Sequence, residues 1–197
     1  MTLPNLITIG RLLLVPLIIW FIVADQPLAA FWVFVVAGIS DAVDGFIARQ
    51  FDLRSDLGTY LDPIADKTLL VSIYVTLAVV EAIPVWLTIL IVSRDFLIVG
   101  AVVLSWMVGE PTSVHPLRVS KVNTLAQIVL AAVVLGDLAF SLDLANVRTG
   151  LVYVVAALTV ASAAIYLVGW VRTMGAGEAA SPGTTGMTQQ RPRDEGP

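Results

Sequence analysis

Apolar residues run along this chain in long blocks separated by short polar breaks. The blocks span Leu6 to Ala24, Leu28 to Gln50, Gly58 to Glu81, Pro84 to Val108, Val119 to Phe140 and Ala145 to Val171. Each reaches the roughly 20 residues that a helix needs to cross the hydrocarbon core of a bilayer. The pattern predicts an all-α integral membrane protein, a bundle of six transmembrane helices whose short connections suit one compact domain. No repeat at a fixed period interrupts it. From Gly175 the chain is rich in Gly, Pro, Ser, Thr and Gln and loses its hydrophobic period, which predicts a disordered tail. The expected division is a membrane domain over residues 1–174 and a disordered cytoplasmic tail over 175–197.

Composition agrees with that pattern. The chain is 58% hydrophobic and only 13% charged, which fits lipid surroundings and not a soluble core. No basic tract points to a nucleic-acid partner, and the absence of cysteine excludes disulfides and thiol chemistry. The N-terminal stretch lacks a charged leader and a small-residue cleavage site before its apolar run, so no signal peptide is expected. With the N-terminus inside, Arg11, Arg49, Arg54, Lys67, Arg118, Lys121, Arg172, Arg191 and Arg193 fall toward the cytoplasm, and Arg148 alone falls outside. Both termini are therefore expected to be cytoplasmic. The short N-terminus suits a bacterial cytoplasmic membrane, and Trp20, Trp86 and Trp170 near helix ends read as interfacial anchors.

Candidate chemistry concentrates between residues 41 and 66. Asp41, Asp44, Asp62 and Asp66 lie beside apolar runs, although each charge costs about 2.5 to 3.5 kcal/mol at the centre of a membrane helix. Asp41 and Asp44 are i,i+3 and Asp62 and Asp66 are i,i+4, so each pair shares one helix face. A short connection is expected to make the two helices antiparallel neighbours at matching depth, bringing four carboxylates to one pocket. Unpaired they would repel and take up protons. Divalent cations remove that repulsion, and an all-oxygen donor set suits Mg²⁺, Mn²⁺ or Ca²⁺. Gly45 and Ala48 keep the adjoining face small enough for a bulky ligand, and Arg49 offers a fork suited to phosphate.

Asp41, Asp44, Gly45, Ala48, Arg49, Gly58, Asp62 and Asp66 match without a gap the D-x2-D-G-x2-A-R-x8-G-x3-D-x3-D signature. Eight fixed positions coincide by chance on the order of once in 10¹⁰ starting points. The chain thereby resembles the CDP-alcohol phosphatidyltransferases, also called CDP-alcohol phosphotransferases. The resemblance implies transfer of a substituted phosphoryl group from a CDP-alcohol to an acceptor hydroxyl, with release of CMP. It implies that Asp66, the last Asp of the motif, acts as general base. By the same resemblance Asn5, Thr8 and Ser55 contact the CDP-lipid, along with Gly45, Ala48, Arg49 and Gly58. Two Mg²⁺ or Mn²⁺ ions on Asp41, Asp44, Asp62 and Asp66 would neutralise the pyrophosphate. Relatives are commonly homodimers, so a homodimer is an expectation too.

A membrane-embedded site points to CDP-diacylglycerol as donor. The acceptor is expected to be phosphatidylglycerol, giving cardiolipin. The segments around Asp66, Ser93-Arg94-Asp95 and Ser120 to Thr124 resemble the CMP-forming cardiolipin synthases, and Val99 to Val103 lacks the further Arg of many phosphatidylglycerophosphate synthases. Glycerol 3-phosphate is the alternative acceptor. Arg94 and Asp95 interrupt the fourth apolar block and point about 100° apart, so each is expected to have its own partner. Arg118, Ser120, Lys121, Asn123, Thr124 and Gln127 predict an acceptor phosphate pocket at the start of the fifth helix, with Arg94, Arg118 and Lys121 as its cations. His115 has no metal set around it and reads as a loop residue. A cation or proton-coupled transporter is the remote alternative, disfavoured because Arg49 would repel a cation.

Overall fold

The computed structural model describes residues 3–51, 56–107 and 118–179, with side chains at 10, 12–41, 43, 67–100 and 119–169. Ser55, His115 and residues 180–197 lie outside the described residues. The side chains of Asn5, Thr8, Asp44, Gly45, Ala48, Arg49, Gly58, Asp62, Asp66 and Arg118 lie outside the described ones as well.

All six apolar blocks are helical: α1 (Leu3–Val23), α2 (Pro27–Phe51), α3 (Asp56–Val79), α4 (Val85–Met107), α5 (Arg118–Phe140) and α6 (Ala145–Ala179). Pro27 opens α2 and Pro84 immediately precedes α4, positions where a missing N–H and a fixed φ do no harm. The helix α6 continues past Gly175 to Ala179, so it enters the segment read from composition as tail.

Three tight turns, after α1, α3 and α5, share one end of the bundle. The first two close in the same way. Asp25 N–H donates to the Ile22 carbonyl at 3.3 Å and Gln26 N–H to that of Phe21 at 2.9 Å. Glu81 N–H donates to the Ala78 carbonyl at 3.1 Å and Ala82 N–H to that of Leu77 at 2.8 Å. These are Schellman closures, which satisfy the last carbonyls of a helix and need a left-handed residue. Here that residue is not glycine: φ is 54° at Asp25 and 59° at Glu81, and Ser141 and Asp143 in the third turn are also left-handed.

The helix α1 packs along both α2 and α3, α5 packs on α2 and α6, α4 packs on α3 and α6, and α3 also touches α5. The antiparallel contact expected of α2 and α3 falls at residues 44–66, whose side chains lie outside the described ones. Val15, Ile18 and Ile22 of α1 and Leu130, Ala131 and Val134 of α5 are buried in the core. Gly136 of α5 leaves room for Phe31 of α2, whose ring meets Phe140 edge-on with centroids 5.3 Å apart.

Polarity is distributed as lipid requires. Arg94, Asn123, Gln127, Thr159 and Ser162 are buried, while Leu13, Trp20, Val79, Phe96 and Leu125 are largely exposed. So much exposed apolar surface suits a membrane and would drive association in water. Among the described residues two stretches, Val119–Phe140 and Ala145–Gly169, are long and apolar enough to cross a bilayer. Shorter apolar stretches among the described residues are Leu12–Val23, Pro27–Asp41 and Lys67–Val79.

Candidate active site

Backbone register places the two acid pairs at corresponding heights. The helix α2 ends at Phe51 and α3 starts at Asp56. At 1.5 Å per residue Asp44 and Asp41 lie about 10 and 15 Å before the end of α2, and Asp62 and Asp66 about 9 and 15 Å after the start of α3. Four residues join these ends, so both pairs belong to the same end of the bundle. Asp41 is half-buried. Asn5 and Thr8 lie in the first turns of α1, the helix packed along both α2 and α3.

Next to Asp66 the described side chains form a polar seam through α3, α4, α5 and α6. Lys67 Nζ is 3.4 Å from Asp95 Oδ1. Arg94 Nη1 donates to the same oxygen at 2.6 Å, and Arg94 Nη2 donates to Ser120 Oγ and Ser162 Oγ, both at 2.7 Å. Further along, Thr159 Oγ1 donates to Asn123 Oδ1 at 3.1 Å, and Tyr74 Oη donates to the Gln127 carbonyl at 3.0 Å. The Arg94 side chain is only 5% exposed and that of Asp95 17%. A guanidinium this deep is tolerable only with a carboxylate and hydroxyls around it.

Arg94 and Asp95 each take a partner of their own, Ser120 and Ser162 for Arg94 and Lys67 for Asp95, but they are not independent of each other. They pair with each other, because a long Arg side chain folds back over the angle that separates the two Cβ directions. Of the predicted acceptor cations, Arg94 has its fork committed to Asp95, Ser120 and Ser162, Lys121 is exposed on the first turn of α5, and Arg118 is the first residue of α5. The α5 polar run divides: Ser120, Asn123 and Gln127 line the seam, and Lys121 does not. Among the described residues Arg94 Nε, Asn123 Nδ2 and Gln127 Nε2 are buried N–H donors without a protein acceptor. Sequence reasoning missed Thr159, Ser162 and Tyr74. The available signal was the i,i+3 pair Thr159 and Ser162 on one face of an otherwise apolar helix.

Residues 1–172 match the family described as CDP-alcohol phosphatidyltransferase. A cardiolipin synthase (CMP-forming)/mitochondrial hydrolase fusion protein of Schizosaccharomyces pombe is 40% identical over 182 residues, 85% of this chain and 31% of that protein. The chloroplastic CDP-diacylglycerol–glycerol-3-phosphate 3-phosphatidyltransferase 1 of Oryza sativa is 36% identical over 184 residues, 84% of this chain and 56% of that protein. The corresponding Bacillus subtilis transferase is 33% identical over 156 residues, 71% of this chain and 80% of that protein. The chain thus spans about a third to a half of the first two relatives and most of the bacterial one. With the eight-residue motif on two helices at one end of a helical bundle, and a family match across nearly all of the described residues, the chain belongs to the CDP-alcohol phosphatidyltransferase family.

Proposed function

We propose that this protein is a membrane-embedded transferase that moves a phosphatidyl group from CDP-diacylglycerol to an acceptor hydroxyl and releases CMP. The observation that carries the proposal is the complete motif, placed at corresponding heights on α2 and α3. In the reaction the acceptor oxygen forms a bond to the phosphorus that carries the diacylglycerol, and the bond from that phosphorus to the CMP oxygen breaks. An alcohol is a poor nucleophile at neutral pH, so Asp66 accepts its proton during attack. Arg49 holds the phosphates, Gly45, Ala48 and Gly58 leave room for the nucleotide, and Asn5, Thr8 and Ser55 contact the CDP-lipid. The oxygen-only donor set of Asp41, Asp44, Asp62 and Asp66 fits two Mg²⁺ or Mn²⁺ ions. Such ions, when bound, supply charge neutralisation at the pyrophosphate and the departing CMP.

The acceptor we favour is phosphatidylglycerol, giving cardiolipin, with Arg118 and Lys121 near its phosphate and Arg94 holding the wall behind them. Support comes from α4, which turns apolar and outward past Asp95: Phe96, Leu97 and Val99 are all at least half exposed. The 36% and 33% identity to glycerol-3-phosphate transferases keeps glycerol 3-phosphate as a second reading. Purified protein given Mg²⁺, CDP-diacylglycerol and each acceptor in parallel separates them. Cardiolipin from phosphatidylglycerol alone supports the first, and phosphatidylglycerophosphate from glycerol 3-phosphate replaces it with the second. The surroundings are six spans with both termini cytoplasmic, in a bacterial cytoplasmic membrane, with a homodimer as the assembly.

A further inference from the structure

The end of the bundle opposite the acidic motif carries a groove of about 530 Å³ between the α3–α4 turn and the start of α6. Glu81, Pro84, Trp86, Arg148, Thr149 and Tyr153 are among its walls. We infer that this groove seats the head group of a zwitterionic phospholipid, its phosphate on Arg148 and its ammonium on Glu81. The inference rests on the membrane-spanning reading of the chain and not on the transferase chemistry.

Charge selects the occupant. An anionic head group would meet the Glu81 carboxylate and a cationic one the Arg148 guanidinium. A head group carrying both signs satisfies both. Arg148 is available for this role, since its side chain is 34% exposed and its contact with Asp137 Oδ2, at 3.9 Å, is long for an ion pair. The other oxygen of Asp137 accepts the Leu144 N–H at 3.0 Å, which ties that carboxylate to the turn. Trp86 and Tyr153, with centroids 6.4 Å apart, form an exposed aromatic wall whose faces attract an ammonium.

The surface below the groove suits acyl chains. Ile89 and Phe96 follow Trp86 at helical spacing on α4, Val160 follows Tyr153 on α6, and these residues are 60%, 74% and 53% exposed. The two helices pack on each other, so exposed apolar surface continues along both from the head-group groove. Glu81 adds a further sign. It holds a left-handed backbone at φ 59°, where glycine would cost nothing. The chain keeps a carboxylate at a position that disfavours one.

The test is native mass spectrometry of delipidated full-length protein titrated with dioleoyl phosphatidylethanolamine or dioleoyl phosphatidylglycerol. Loss of one charge-assisted contact is expected to weaken phosphatidylethanolamine about tenfold in Arg148→Gln and again in Glu81→Gln. Arg148→Lys keeps the charge and is expected to retain most of the binding. Phosphatidylglycerol, which also has the proposed acceptor site, is expected to bind all three variants as it binds the parent. Unchanged phosphatidylethanolamine binding in both Gln variants overturns the inference, as does equal weakening of the two lipids by Arg148→Gln. Asp66→Asn protein is expected to bind phosphatidylethanolamine like the parent, so failure of the transferase reading and failure of this one are read separately.

Discussion

Asp66, near the middle of α3, and Glu81, in the turn that follows it, illustrate two ways a single residue acts. For Asp66 the proposed role is chemical. Asp66→Asn is expected to lower CMP release by about 100-fold or more, the usual size of a general-base contribution, while CDP-diacylglycerol binding is largely kept. Retained turnover would assign the base elsewhere. Chelation should likewise abolish CMP release, with Mg²⁺ or Mn²⁺ restoring it and Zn²⁺ failing to, since the donors are all oxygen. Glu81, besides the ammonium contact inferred for its carboxylate, acts through its backbone. Its left-handed conformation costs about 1 kcal/mol relative to glycine, so Glu81→Gly is expected to raise the thermal midpoint in detergent. A lowered midpoint would mean that the carboxylate contributes more than the strain costs. The acid motif was legible because fixed spacing on a helix dictates a shared face. The conformation of Glu81 was not, because glutamate has no preference for it.

At the scale of the element, α4 is decided by one buried ion pair. Arg94 and Asp95 join it to α3 through Lys67, to α5 through Ser120 and to α6 through Ser162. Removing Asp95 strands a buried guanidinium, so Asp95→Ala is expected to cost about 3 kcal/mol. Ser162→Ala removes one acceptor among several and is expected to cost about 1 kcal/mol. Unfolding in a denaturing detergent series measures both, and equal losses would show that the carboxylate is not what the guanidinium depends on. Because Lys67 follows Asp66 directly, Asp95→Ala is also expected to lower turnover through the position of α3. Two adjacent charges in an apolar helix were visible in the sequence. Their mutual pairing was not, since helical angles fix where Cβ points and not where a long side chain ends.

For the whole molecule the question is how six helices sit in a bilayer. The chain contains no cysteine, so single cysteines report topology without background. Cysteines at Thr2 and Ser181 are expected to share cytoplasmic accessibility, and one at Asp143 is expected to react from the opposite side. Labelling of Thr2 and Asp143 from the same side would overturn the six-span arrangement. The exposed apolar residues on every helix give the same arrangement a physical basis, since lipid covers them at no cost and water does not.

The sequence by itself determined the helix count, the helix limits to within a few residues except at the end of α6, and the eight positions of the acidic motif. These follow from block length and residue spacing, which are local properties of the chain. Only the tertiary structure decided that α1 packs on both α2 and α3 and α5 on both α2 and α6, and that Arg94 takes hydroxyls from α5 and α6. It also brought Glu81, Trp86, Arg148 and Tyr153 around one groove. In lipid all outward faces are equally apolar, so hydrophobic pattern does not select helix partners. Close packing and the pairing of buried polar groups select them, and both depend on residues far apart in the chain.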